Sequence, residues 1–133
     1  MPDKDYSARP LIDKLGIRPG ARVATLGITD AAFLATLAER TADCTAEKCV
    51  QDCDVILVGV EGFAGLRAVG KCKAFLKPAG GIWVVYPKGR KDITQAQVME
   101  AGLAAGLVDN KVCSFSATLT AMRFVSRVAD RRK

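Results

Sequence analysis

The sequence predicts an α/β fold: a three-layer open sheet, mostly parallel, with an antiparallel strand pair at its C-terminal end. Three observations predict it. Two unbroken β-branched apolar runs, residues 54–60 (DVILVGV) and 81–87 (GIWVVYP), flank a helical segment. That is the pattern of a βαβ unit whose strands are covered on both faces. A third apolar run, 22–27 (RVATLG), follows the turn formed by Pro19 and Gly20. Finally, two long stretches near the C-terminus are joined by too few residues for a parallel crossover, which needs a dozen or more, so they form an antiparallel pair.

Taken in order, residues 1–9 are polar and are expected to be loose. Leu11, Ile12 and Leu15 share one helical face, and Gly16 stops that helix. After the first core strand, Thr29 or Asp30 caps a helix over 31–40 whose stripe is Phe33, Leu34 and Leu37. A short strand at 41–44 is weakly signalled, and 45–52 is polar and hard to place. The central strand at 54–60 leads into a helix at 63–75 with Leu66, Val69 and Phe75 inward and Lys71 and Lys73 outward. Residues 77–81 (KPAGG) read as a turn. A basic loop after Pro87 precedes a helix at 94–105, with Thr94 and Gln97 as a capping box. Gly106 ends that helix, and strands follow from about Asp109 to Ser116 and over 118–128, before a basic tail at 129–133.

A chain of 133 residues with 50% hydrophobic content has the size of one domain, 1–133, around one core. It holds no apolar stretch near 18 residues and no secretory leader pattern at its start, so a cytoplasmic protein without membrane partners is the expectation. The absence of histidine removes the commonest general base, the Ser-His-Asp and Cys-His arrangements, and imidazole metal sites. Five cysteines, an odd number, suggest reduced thiols rather than a disulfide framework. A net charge of +6 favours anionic ligands but is also an ordinary solubility surface. Nucleic acid is not favoured as a partner, because interleaved aromatics and a recognisable reading helix are both missing.

The opening KLGIRPGARVATLGI, with its Pro-Gly turn into the first strand, resembles class I S-adenosylmethionine-dependent methyltransferases. DVILVGV resembles their fourth strand, and AFLKPAGGIWVVYPKG the helix end, turn and fifth strand that follow. Over nearly the full length, the chain also resembles the DUF3052 type of small bacterial proteins of unknown function. The shared features are the DKLGI-PG-RV opening, an aromatic-Pro-Lys loop, and the ending GLVDNKVCSFSATLTAMRFVSR. The resemblance implies a Rossmann-like core with shortened methyltransferase topology. It also implies S-adenosylmethionine as the cofactor of an active member, with Gly27, Thr29, Asp30 and Asp43 as its contacts.

The chain departs from the active pattern. Where those enzymes have an acidic residue followed by spaced glycines, residues 25–31 read TLGITDA, so only Gly27 remains and Thr25 replaces the acid. An adenosyl site wants a carboxylate about 20 positions on, at the end of the next strand. Asp43 and Glu47 stand 16 and 20 positions after Gly27, and one of them can serve. Only 26 residues lie between Gly27 and Asp54, too few for the two further strands and helices of a full enzyme.

Two other groups carry chemistry. Cys44, Cys49 and Cys53 are weak metal candidates: on a helix Cys49 and Cys53 would share a face, but the spacing is not that of a paired zinc site. Buried free thiols are the plainer reading. Tyr86, Lys88, Gly89 and Arg90 lie at the C-terminal end of a central strand, where open α/β sheets bind ligands. Lys88 and Arg90 suit a small anionic ligand. Trp83 and Tyr86, three apart in a strand, point to opposite faces as core residues. Arg123 should pair with an acid on the adjacent strand, such as Asp109, or face water.

The sequence therefore favours a non-catalytic domain, without cofactor, that binds a protein partner or small anionic ligand at the C-terminal edge of the sheet. The alternative is an S-adenosylmethionine-dependent methyltransferase with a reduced cofactor site. A basic nucleic-acid-binding accessory protein comes third. The C-terminal edge strand leaves monomer and homodimer equally open.

Overall fold

In the computed structural model, residues 10–127 are described; the segment 1–9 and residues 128–133, which hold the last position of the expected final strand and the basic tail, lie outside the described residues. Six strands form one sheet in the order β2-β1-β3-β4-β6-β5. They are β1 Val23–Leu26, β2 Cys44–Ala46, β3 Cys53–Gly59, β4 Leu76–Pro87, β5 Leu107–Ser114 and β6 Leu119–Ser126. The first four are parallel, and β6 runs antiparallel to both β4 and β5. This is the mostly parallel sheet with an antiparallel C-terminal pair that the sequence predicts.

Period-two alternation sends successive side chains to opposite layers. On one face Ile56, Val58, Ile82, Val84, Met122 and Phe124 pack with Val69 and Cys72 of helix α3 (Arg67–Cys72) and Val98 of helix α4 (Gln95–Ala104). On the other, Val23, Val55, Leu57, Trp83 and Val85 pack with Ile12 of helix α1 (Leu11–Lys14), Leu15, and Phe33 and Leu37 of helix α2 (Ala31–Arg40). Trp83 and Tyr86 thus fall on opposite faces, both buried. The Trp83 indole Nε1 donates to the Leu15 carbonyl at 3.0 Å, which fixes the end of α1 to the sheet.

The helix ends follow their residues. Asp30 Oδ1 accepts from the Phe33 N–H at 3.0 Å and caps α2. Thr94 and Gln97 close the reciprocal capping box of α4. Gly106, at φ +83°, takes the left-handed turn after α4. No helix among the described residues is long and apolar enough to cross a membrane.

Four local expectations are corrected. The segment 63–75 is two 3₁₀ turns, Phe63–Leu66 and Lys73–Phe75, around a short α3. Gly65 and Gly70 weaken a continuous helix there. Residues 77–81 belong to β4 rather than to a turn: Cys53 pairs with Leu76 but Val55 with Gly81, so the extra residues bulge out of an edge that still pairs. Gly80 allows this, because a Cβ there would lie 2.8 Å from the Asp54 carbonyl oxygen. The short second strand falls at Cys44–Ala46, not 41–44. Arg123 stands opposite Lys111, and Asp109 opposite Phe124, because a register shift between Asp109 and Lys111 moves the acid to the other face.

Candidate functional site at the strand ends

The C-terminal ends of β1 and β3 meet at two glycines. A Cβ built on Gly27 would stand 2.6 Å from the Gly59 carbonyl oxygen, so neither position tolerates a side chain. Gly27 has φ +69°, a conformation open to glycine at little cost. Next to it, Glu47 ends β2 with φ +59°, and its N–H donates to the Thr25 carbonyl at 2.6 Å. Both Glu47 carboxylate oxygens accept from the Gly27 N–H, at 3.2 and 3.0 Å. The left-handed turn at Glu47 thus aims an exposed carboxylate at the end of β1.

A cavity of about 550 Å³ opens at this edge, lined by Gly27, Ile28, Thr29, Asp30, Glu61 and Arg90 and by the turn that joins β5 to β6. Its floor is apolar: Ile28, Val60, Val85 and Phe115 are all buried. The Phe33 and Phe115 rings meet at 5.0 Å between centroids, and so join α2 to that turn.

The structure brings together Gly27, Thr29, Asp30 and Arg90 from the sequence candidates. Asp30 is committed to capping α2. Arg90 is paired with Asp92, which raises its pKa and holds the Asp92 carboxyl below the usual carboxylate range. Lys88 Nζ donates to Ser114 Oγ at 2.7 Å, and Gly89 takes φ +69° in the same loop. Tyr86 is buried in the layer of α3 and α4, and burial pushes its hydroxyl pKa up. Asp43 stands before β2, at the other end of the sheet, bound to Arg22 Nε at 3.0 Å. Of the two carboxylates near the expected spacing, Glu47 is the one at the C-terminal edge.

Glu61, Phe115 and Ser116 also line the cavity and were not singled out from the sequence. Glu61 had a legible signal, because it follows the apolar run of β3 as Lys88 follows that of β4. The two residues from the β5–β6 turn had none, since only pairing with β4 brings that turn to this edge.

The cysteines do not converge on one point. Cys44 packs on the α1–α2 side, whereas Cys53 and Cys72 are buried on the other. Residues 47–52 are not helical, so Cys49 and Cys53 do not share a helix face. Cys49 Sγ instead lies 3.9 Å from Cys72 Sγ, and Cys53 Sγ donates to the Val50 carbonyl at 3.1 Å. Burial, with Cys49 alongside, pushes the Cys72 thiol up to about 12. Among the described residues no group of three or more Cys, Asp or Glu is placed to hold a metal ion.

No family model matches the chain, and no curated protein matches it. Solved structures do. A S-adenosylmethionine-dependent methyltransferase from Aquifex aeolicus superposes with TM-score 0.67 at 12% identity, over 86% of this chain and 86% of that one. A putative methyltransferase from Thermoplasma acidophilum gives 0.64 at 10%, over 84% and 70%. The SAH-bound methyltransferase CalO1 of calicheamicin biosynthesis gives 0.64 at 16%, over 92% of this chain but 54% of its own. At such identities the likeness is one of fold, and the chain has a shortened methyltransferase-like Rossmann fold.

Proposed function

We propose that this chain binds S-adenosylmethionine in the strand-end cavity and acts as a methyltransferase with a reduced cofactor site. The proposal includes membership of the DUF3052-type family and a place in the bacterial cytoplasm. One observation carries it: Glu47, at the end of β2, presents its carboxylate beside Gly27 at the end of β1. In an open α/β sheet that is where an acidic residue reads the ribose diol of an adenosyl group. The donor set fits the group. An exposed carboxylate accepts two hydroxyls, and the Gly27 N–H, which donates to that carboxylate, holds it at the end of β1. The site is reduced because Ile28 fills space that further glycines would leave open.

When bound, the cofactor supplies an electrophilic methyl on a sulfonium. This chain's residues do the rest. Glu47, positioned by the Gly27 N–H, would hold the adenosine end, while Ile28, Val60, Val85 and Phe115 would keep water from the floor. Glu61 lines the cavity as the carboxylate placed to accept a proton from the methyl acceptor. The reading of the same edge as a non-catalytic anion site draws on Lys88 and Arg90, whose side chains are bound to Ser114 and Asp92.

Calorimetric titration with S-adenosylmethionine and S-adenosylhomocysteine tests the proposal. Binding in the micromolar range is expected, weakened about 10-fold by Glu47→Gln, the scale of a lost charge-assisted hydrogen bond. Folded protein that takes up neither ligand at millimolar concentration would sink it.

A further inference from the structure

The connection between β2 and β3, residues 47–52, is neither helix nor strand, and it lays a half-buried thiol, Cys49, against the layer of α3. Cys72, the last residue of α3, is only 2% exposed. Their sulfurs lie 3.9 Å apart, although the residues stand 23 positions apart in the chain. The other three cysteines keep different company. Cys44 and Cys113 pack on the opposite layer, and Cys53 is set in β3 with its Sγ donating to the Val50 carbonyl.

Two sulfurs in contact have a chemistry that a lone thiol lacks. A disulfide needs them about 2.05 Å apart, so the gap must close by about 2 Å. The approach falls to Cys49, whose loop is outside any ladder, since Cys72 is packed beneath the sheet. Access is unequal in the same sense. Solvent reaches the half-buried Cys49, whereas Cys72 is screened from it.

We propose that Cys49 and Cys72 form a reversible dithiol–disulfide pair oxidised by hydroperoxides, and that the bond fixes the 47–52 loop to α3. With hydrogen peroxide, the Cys49 thiolate attacks one oxygen, the O–O bond breaks, and the departing hydroxide takes a proton and leaves as water. Cys49 is then a sulfenic acid. The Cys72 sulfur attacks the Cys49 sulfur and gives up its proton, the S–O bond breaks, and a second water leaves. Two thiols have lost two electrons and two protons, and the peroxide has become two waters. A dithiol reductant reverses the bond by exchange and is itself oxidised to a disulfide.

The first step prepares the second. In the reduced protein burial, and then the charge and hydrogen bond of Cys49, keep the proton on Cys72. A sulfenic acid is neutral, so the Cys49 charge no longer opposes ionisation when Cys72 has to react. A transient bond of this kind is the form disulfides usually take in a reducing compartment. The loop it fixes is the one that carries Glu47, yet the inference does not require an adenosyl group to bind there.

The full chain is reduced, freed of reductant and treated with hydrogen peroxide, and its thiols are counted in denaturant. The count should fall from five to three, and dithiothreitol should restore it. Tryptic mapping should join the peptide that begins at Cys49 to the one that begins at Cys72. Cys53 lies in the first of these peptides, so two variants separate the donors: Cys49→Ser should lose the bond, and Cys53→Ala should keep it. Amide hydrogen exchange over 48–52 should slow by about 10-fold in the oxidised protein, which reads the fixing of the loop without any ligand. Several results would overturn the pair: five thiols left at millimolar peroxide, a loss that dithiothreitol does not restore, a bond that persists in Cys49→Ser or joins two chains, or unchanged exchange in the loop.

Discussion

Gly102 decides how closely α4 can approach the sheet. A methyl built there would overlap the Phe124 ring, which is fully buried in the same layer. Two effects oppose each other in Gly102→Ala. Helix propensity favours alanine by about 1 kcal/mol. Overpacking a close-packed core costs about 1–3 kcal/mol. The clash wins, and the variant should be destabilised by about 1–2 kcal/mol in urea unfolding. A more stable variant would show that α4 can lift from β6 freely. Residue-scale packing of this kind leaves almost no trace in sequence: Gly102 reads as a mild helix weakener, and nothing nearby says that Phe124 lies beneath it.

At the scale of elements, what was legible depended on how local the cause is. Caps and apolar runs are local, so Asp30 before α2, the Thr94–Gln97 box and the runs of β3 and β4 could all be read directly. Lys77 to Gly81 could not, because a Lys-Pro-Ala-Gly-Gly stretch has turn chemistry and becomes strand only through pairing with β3. The candidate site divides in the same way. Gly27 and Asp30 follow from their own strand and helix, whereas choosing Glu47 over Asp43 requires the β1–β2 register, which sends the two acids to opposite ends of the sheet. The cap itself supports a prediction. Asp30→Ala removes the acceptor of the Phe33 N–H, and it should lower stability by about 1 kcal/mol. Asp30→Asn should restore most of that, since the amide oxygen still accepts. A variant pair with equal urea midpoints would mean that the cap contributes nothing beyond what water supplies.

For the whole molecule, pH dependence follows from which groups the chain contains and which it lacks. Without histidine, no side chain has its ordinary titration between about pH 6 and pH 8, so stability should be nearly flat there. On the acid side, the Asp54 carboxyl is held below its ordinary value of 3.8 when folded. The unfolded chain binds that proton first as pH falls, so the stability Asp54 contributes is present above about pH 4 and lost below it. On the alkaline side the sign reverses. Burial raises Cys72 to about 12 and also raises Cys53 and Cys113 above the ordinary 9.0. Above that ordinary value the unfolded chain releases thiol protons that the folded one keeps. Stability is therefore complete below about pH 9 and falls as pH rises toward about 12. Urea midpoints measured from pH 3 to pH 11 should trace a plateau with two falling limbs. Cys72→Ala should lower the whole curve, through the cavity it leaves, yet make the alkaline limb shallower. An alkaline limb equally steep in that variant would place the lost protons elsewhere, with Tyr86, whose hydroxyl is also raised by burial, the next group to replace.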